Sequence, residues 1–585
     1  MSDGSEKRRI LFCGGILIVA LIGLGSRLAL LHLGDHGDEL NRIKRSRSIR
    51  RTITVRRGNI YERGGRQNVL AMDMAVKDVC ADPMKIAQEG QSKLVARVLS
   101  KYLDVPHETL TRRLANPERR FAYVKRFVPR QRANAVRDMR LTGVFMEDSR
   151  TRFYPQRGLL CHVLGFVNHA GVGSAGIEQC MDRYLKGSPG FVETEVNALR
   201  EEVYLQRHRH IAGMEGADVF LTIDQNIQYL VESALDDLMT EHQPKGAWAI
   251  VQRVRTGEIL AMASRPAYCA NNMPESTPDS RLNRCIGVVY EPGSTFKALT
   301  IAAALNEGTV QTNTVFDCEH GAWFYGGHRL RDFHAYGMLT VADGLKKSSN
   351  ILAAKVALTL GDRRLYRYLR DFGIGRAAGI ELPAEENGIL HSVDSWSKIA
   401  ATRIAMGHGV AVTALQMINV FCAIANDGIL MQPHVIREVR QKDGRVLYRG
   451  GPRESGRPIR PETAQTMRRL LARVTENGGT GRRARIAHYT IAGKTGTADK
   501  AVNGQYNGDA TVARFVGFLP AKQPEVAIIV VADEPQPHHT GGRVAAPCFS
   551  RIAAGAVRYL QVPPDVPADE RDPRRGAALA SLGAH

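Results

Sequence analysis

Residues 290–300 read YEPGSTFKALT, and the apolar run continues as ALTIAAAL. A Pro-Gly pair, a serine and, one helical turn later, a lysine stand where that run predicts a buried helix. Two readings fit. In one, Ser294 is an N-cap or first-turn residue and Lys297 is incidental. In the other, residues three apart share a helix face, so the Lys297 amine lies beside the Ser294 hydroxyl. A serine hydroxyl attacks poorly until a base takes its proton. A lysine can be that base if its amine is neutral, and burial plus a second nearby cation pushes it that way. Free N–H groups at a helix start can then hold an oxyanion. Ser-x-x-Lys alone does not choose, because Ser395 and Lys398 repeat it.

Two further stretches decide. LKKSSNILAAKVAL, residues 345–358, contains Ser348, Ser349 and Asn350 before another apolar run. It reads as a helix cap, or as a proton-relay hydroxyl beside an amide that binds substrate. YTIAGKTGTADK, residues 489–500, delivers Lys494, Thr495, Gly496 and Thr497 after a strand-like YTIAG. It reads as a charged turn, or as a strand edge that docks a substrate backbone and clamps a carboxylate. The three occur in the order S-x-x-K, S-x-N, K-T-G, an order that the Ser395 pair would break. Taken together they are the signature of the penicillin-recognising serine enzymes.

Outward from the motifs, the chain divides by texture. Its 585 residues exceed one compact core, and 44% apolar content is that of a globular protein. Residues 10–26, ILFCGGILIVALIGLGS, carry no charge and follow Lys7, Arg8 and Arg9. With Arg27 reaching outward along its stem, residues 10–33 are expected to form one uncleaved transmembrane anchor. No small-residue cleavage site follows them. Basic residues are more numerous after this span than before it, so the positive-inside rule alone favours the inverse topology. The formal net charge is +21, and residues 41–57 hold eight Lys or Arg. No P-loop, zinc-finger or RNA-binding motif gives that patch a nucleic-acid meaning, and it reads as a solvated segment beside a membrane. The nine cysteines include no C-x-x-C and no metal-ligand spacing, and HExxH is absent, which argues against a zinc peptidase.

Expected boundaries are a short cytoplasmic segment 1–9, the anchor 10–33, an N-terminal pedestal 34–215, a catalytic domain 216–561 and a loose tail 562–585. In the catalytic domain, a strand should precede a helix starting near Asp224. A hairpin should turn at Thr256-Gly257, strands should pair across 514–520 and 525–535, and a helix at 547–561 should close the domain.

With these residues in view, the chain resembles the class B penicillin-binding proteins, which are peptidoglycan D,D-transpeptidases. RRGNIYERGGRQNVLA, residues 56–71, is similar to the pedestal's R-G-x-I-x-D-R-x-G stretch, with Glu62 where Asp is usual. RFYPQRGLLCHVLGFVN and GIEQCMDRYLKGSPG resemble later pedestal segments, whereas GEILAMASRP, GHGVAVTALQM, AGKTGTA and GGRVAAPCF resemble the transpeptidase domain. His408 replaces the usual Gln or Tyr, and the common M-D-P before Thr256-Gly257 is missing.

The resemblance implies an α/β (α+β) fold: a central antiparallel sheet flanked by helices, a mixed pedestal domain and one transmembrane helix. It implies that Ser294 is acylated by the penultimate D-Ala of a stem pentapeptide and that Lys297 is its base. Ser348 would link Lys297, Ser294 and Lys494 for proton return, and Asn350 would hold the donor stem. Lys494, Thr495 and Thr497, with Gly496 between, would bind the carboxylate, and the N–H groups of Ser294 and Thr497 would form the oxyanion hole. No cofactor or metal is implied. The implied ligands are D-Ala-D-Ala stems and β-lactams. The implied protein partners are an FtsW-type SEDS glycosyltransferase and other division proteins, at an inner membrane with the catalytic domain outside it. Ser-Ser-Asn and the absence of an insertion near the site resemble the cell-division branch, FtsI, more than the elongation branch; a sporulation role is the alternative. A β-lactamase or D,D-carboxypeptidase would share the triad but would need neither pedestal nor anchor.

Overall fold

The computed structural model describes residues 3–33, 48–196, 202–502 and 505–566. The tail expected at 562–585 and the basic run at 41–47 thus lie largely or wholly outside the described residues. The first helix, Asp3–Leu33, starts before the apolar run because its basic flank is itself helix-compatible. Its Lys7–His32 stretch is long and apolar enough to cross a membrane.

Two compact units form. The first comprises Met1–Val55 and Ser188–Glu215 and contains a three-stranded antiparallel sheet, with Gly190–Val196 between Ser48–Ile53 and Glu202–Ile211. The second comprises Arg56–Gly187 and Gly216–His585.

Within the second unit, one sheet runs in the order Val446–Arg449, Ile436–Arg440, Asp218–Leu221, Ile60–Tyr61, Val69–Ala81, Ala122–Val128, and Val144–Phe153 also pairs with the long strand Val69–Ala81. Beside it, three of the segments quoted above meet at one buried carboxylate. Glu178 takes Arg57 Nε at 2.7 Å on one oxygen and Arg152 Nε at 2.6 Å on the other. A fully buried carboxylate persists only when paired, and two guanidiniums achieve that here.

The other sheet positions the site. Its five antiparallel strands run in the order Ile259–Arg265, Gly246–Arg253, Val526–Asp533, Gln505–Leu519, Ala492–Val502. Both faces are covered, so the central strands read as unbroken apolar runs rather than alternating ones. Ala249, Val251, Ile528 and Val530 pack with Ile227, Leu235, Phe549 and Ile552 of helices Gln225–His242 and Ala545–Tyr559. Trp248, Ile250, Ile529 and Val531 belong to the larger core on the opposite face, with Leu299 and Phe421. Asp224 caps the helix Gln225–His242, accepting from the Asn226 and Ile227 N–H groups. The hairpin and the paired strands form as expected, and Gly257 takes the left-handed conformation (φ +77°) that the turn requires.

Candidate active site

The helix Lys297–Glu307 is buried from Lys297 through Ala304, as its Ala- and Leu-rich sequence dictates. Ser294 is not its N-cap. It sits in a 3₁₀ turn, Gly293–Phe296, that runs into the helix. Gly293 allows this turn to approach the edge strand: a Cβ there would stand 3.1 Å from Ala498 Cβ and 3.2 Å from Thr497 O, at φ +52°. The serine is therefore delivered beside the K-T-G strand. Its hydroxyl has no hydrogen-bond partner among the described residues.

Lys297 is 1% exposed, and its amine does not hydrogen-bond Ser294 as the one-turn spacing predicts. It donates instead to Asn350 Oδ1 at 2.6 Å, Ser348 O at 2.7 Å and Ser348 Oγ at 3.3 Å. Catalytic contacts in a ligand-free site are often made only when substrate arrives. Three acceptors match an ammonium's three donors. A neutral amine would keep the two short bonds and leave its lone pair free to accept a proton. Burial pushes Lys297 down to about 7, with Asp332 opposing the shift.

The Ser-Ser-Asn stretch divides its labour. Ser348 lies between the helices Val341–Lys347 and Asn350–Leu360 in a left-handed conformation (φ +63°), a strained state for a residue with a side chain. Its hydroxyl stands between the two lysines, 2.9 Å from Lys494 Nζ. Ser349 is the N-cap of the second helix, accepting from Leu352 N–H at 3.1 Å. The cap falls on Ser349, and the Ser348 hydroxyl stands where the relay reading would need it. Asp332 was not legible as part of the site. Its Oδ2 accepts from Ser349 Oγ at 2.6 Å, and its Oδ1 accepts from the N–H groups of Asn350 and Ile351.

Lys494–Thr497 lies within a strand, not a turn, and that strand is the sheet's edge, the position at which an extended ligand can add to a sheet. Lys494 is fully buried. Its amine donates to Ser348 Oγ and to Thr495 O at 3.1 Å. Burial first, and then the Lys297 charge, hold its proton affinity well below that of a free lysine. Thr495 Oγ1 donates to Thr480 Oγ1 at 2.8 Å, and Thr497 Oγ1 accepts from Gly541 N–H at 3.1 Å. The exposed Thr497 hydroxyl retains its own proton for a ligand. Gly496 is small for a reason: a Cβ would lie 2.7 Å from Arg514 Nε and 2.9 Å from Thr295 Cγ2. Arg514 is fully buried, donates to Glu291 O and faces the Tyr290 ring at 5.0 Å, which ties the edge sheet to the segment before Ser294.

Ser395 and Lys398 are both exposed, and the Ser395 hydroxyl is occupied by Ser392 O at 2.7 Å. His408 pairs with Glu291 Oε2 at 2.9 Å, just before the Ser294 turn. The Glu385 carboxylate is taken up by the N–H groups of Ala378 and Gly379 at 2.7 and 3.0 Å.

Comparison with known proteins shows which family the chain belongs to. The penicillin binding protein transpeptidase domain family matches residues 247–554, and the penicillin-binding protein dimerisation domain family matches residues 52–221. The peptidoglycan D,D-transpeptidase FtsI of Escherichia coli is 32% identical over 95% of this chain and 92% of its own. The probable peptidoglycan D,D-transpeptidase PenA of Neisseria meningitidis is 31% identical over 97% and 95%. Among solved structures, penicillin binding protein 3 of Mycobacterium tuberculosis, complexed with aztreonam, superposes with a TM-score of 0.69 at 25% identity, covering 88% of this chain and 99% of that one.

Proposed function

The chain belongs to the class B penicillin-binding proteins, a family of peptidoglycan D,D-transpeptidases, and on that premise we propose that Ser294 is its acylated nucleophile. The observation that carries the proposal is the Ser348 hydroxyl, held 3.3 Å from Lys297 Nζ and 2.9 Å from Lys494 Nζ. Ser294 Oγ attacks the penultimate D-Ala carbonyl of a stem pentapeptide as its proton passes to neutral Lys297. The oxyanion is held by the N–H groups of Ser294 and Thr497, a contribution of about 3–4 kcal/mol per donor in other enzymes. The C–N bond breaks, and the proton returns to the departing D-Ala amine through Ser348, between the two lysines. An amine from a neighbouring strand then attacks the acyl-enzyme by the reverse route. The terminal carboxylate is bound by Lys494, Thr495 and Thr497, which favours a protonated Lys494, and Asn350 holds the donor stem. A β-lactam enters the same path and stays on the serine.

The role is in septal wall synthesis, which the FtsI-like sequence supports, beside an FtsW-type glycosyltransferase. The first helix anchors the chain in the inner membrane, with a pedestal to about residue 215 and the catalytic domain from 216 on the outer side. Intact-mass spectrometry of the full-length chain in detergent after brief exposure to benzylpenicillin tests the site. One adduct that persists for hours and is absent from Ser294→Ala is the expected result. A folded protein that takes no adduct, or an adduct that survives the substitution, refutes the assignment.

A further inference from the structure

The S-x-N segment must hold an unfavourable shape. Ser348 is left-handed at φ +63° and ψ +38°, and its carbonyl and hydroxyl both face Lys297. A residue held in this way is strained and persists only where its surroundings over-determine it. The surroundings here are dominated by one side chain outside the three motifs. Asp332 follows the hairpin strand His328–Arg331, and its carboxylate accepts from the Ser349 hydroxyl and from the Asn350 and Ile351 N–H groups. These are the N-cap and first two residues of the helix Asn350–Leu360, where a negative charge is also favoured by the helix dipole. The carbonyl of Arg331, one residue earlier, accepts from Asn350 Nδ2 at 2.8 Å, which leaves Asn350 Oδ1 turned to Lys297 at 2.6 Å. Both ends of the Asn350 amide are thus set by one hairpin strand and the lysine it serves.

We propose that Asp332 is a positioning residue for the reaction: its carboxylate clamps the start of the helix Asn350–Leu360, presents Ser348 and Asn350 to Lys297, and supplies a negative charge close to that buried lysine. This rests on the reading of Ser294 and Lys297 as nucleophile and base. Desolvation pushes Lys297 down to about 7, and Asp332 is the charge that opposes that shift. Other titratable groups face the cluster. Lys494 comes from the edge strand, and the Cys318 thiol stands 3.5 Å from Ser349 Oγ. Tyr336 lies in the loop beyond Asp332, and Lys355, bonded to Glu319, lies near Cys318. Burial raises both Cys318 and Tyr336, so neither titrates near neutrality.

The sign follows. Removing the Asp332 charge lowers the proton affinity of Lys297, so more of it is neutral at a given pH. The acid limb of the acylation profile then moves to lower pH, although looser geometry lowers the plateau. The test is the second-order rate of labelling of the full-length chain by a fluorescent penicillin across roughly pH 5.5–9. In Asp332→Asn the acid limb should shift down by on the order of one pH unit, with a plateau lower by about tenfold. Asp332→Glu keeps the charge on a longer arm, so its plateau should fall while its limb stays with wild type. An unmoved limb in Asp332→Asn, whatever its plateau, overturns the proposal and leaves Asp332 a merely structural cap. Failure of the underlying reading looks different: wild-type protein itself then takes no label, or Ser294→Ala takes it equally, and both ideas fall together.

Discussion

Gly496→Ala should slow acylation sharply although it adds one methyl group and touches no reacting atom. The new Cβ would stand 2.7 Å from Arg514 Nε, 2.8 Å from Arg514 Cγ and 2.9 Å from Thr295 Cγ2. Carbon atoms rest at about 3.5–4.0 Å, so Thr295 must retreat by roughly 0.6–1.1 Å. Arg514 cannot swing clear, because it is fully buried and its Nη1 is bonded to Glu291 O. The shift therefore passes to Thr295, the residue next to Ser294, and to Glu291, three before it. A misplacement of about 1 Å costs on the order of 100-fold in rate, and overpacking of this kind costs about 1–3 kcal/mol of stability. The expected result is labelling by a fluorescent penicillin slowed by about 10–100-fold, at a temperature where the variant is fully folded, with a melting temperature lower by about 1–4 °C. Gly451→Ala, with nothing within 4 Å of its added Cβ, is the control and should match wild type in both assays. A Gly496→Ala protein that labels within about threefold of wild type and melts within about 1 °C of it would refute the claim that this slot is full.

Two further outcomes are expected. With Lys297 near 7, the second-order acylation rate should rise about tenfold between pH 6 and pH 8, as the neutral base grows from roughly a tenth to nine-tenths; a hundredfold rise would mean an ordinary lysine, with the limb lying far above neutrality. Ser395→Ala should leave benzylpenicillin adduct formation unchanged, since that hydroxyl is exposed and committed to Ser392 O; loss of the adduct would move the nucleophile there.

The sequence carried the chemistry further than the geometry. Ser294, Lys297, Asn350 and Lys494 were legible as candidates because each is a side chain in a short motif, and the apolar runs beside them fixed which helices and strands bear them. The paired strands were legible for the same reason, as Val526–Asp533 is apolar on both faces. The resemblance singled out Ser348 as the relay, but the residues alone did not separate it from Ser349, since either can cap a helix. The choice is made by a left-handed turn at Ser348 and by a carboxylate 16 residues upstream of it. That carboxylate, Asp332, sits in HRLRDFHAYG, which has neither a helical nor a strand period to mark it. Arg514 was hidden in the opposite way. In TVARFVGFL it takes a polar place in a strand, where alternation predicts solvent, but Gly496 on the next strand leaves a slot into which the guanidinium folds. Gly496 and Arg514 are register partners across the sheet, so the size of one and the burial of the other are a single fact about pairing. Local pattern does not encode such a pair. The motif therefore names candidate groups, whereas their alignment depends on contacts made across long stretches of chain, and it is there that substitutions outside the motif should act on the rate.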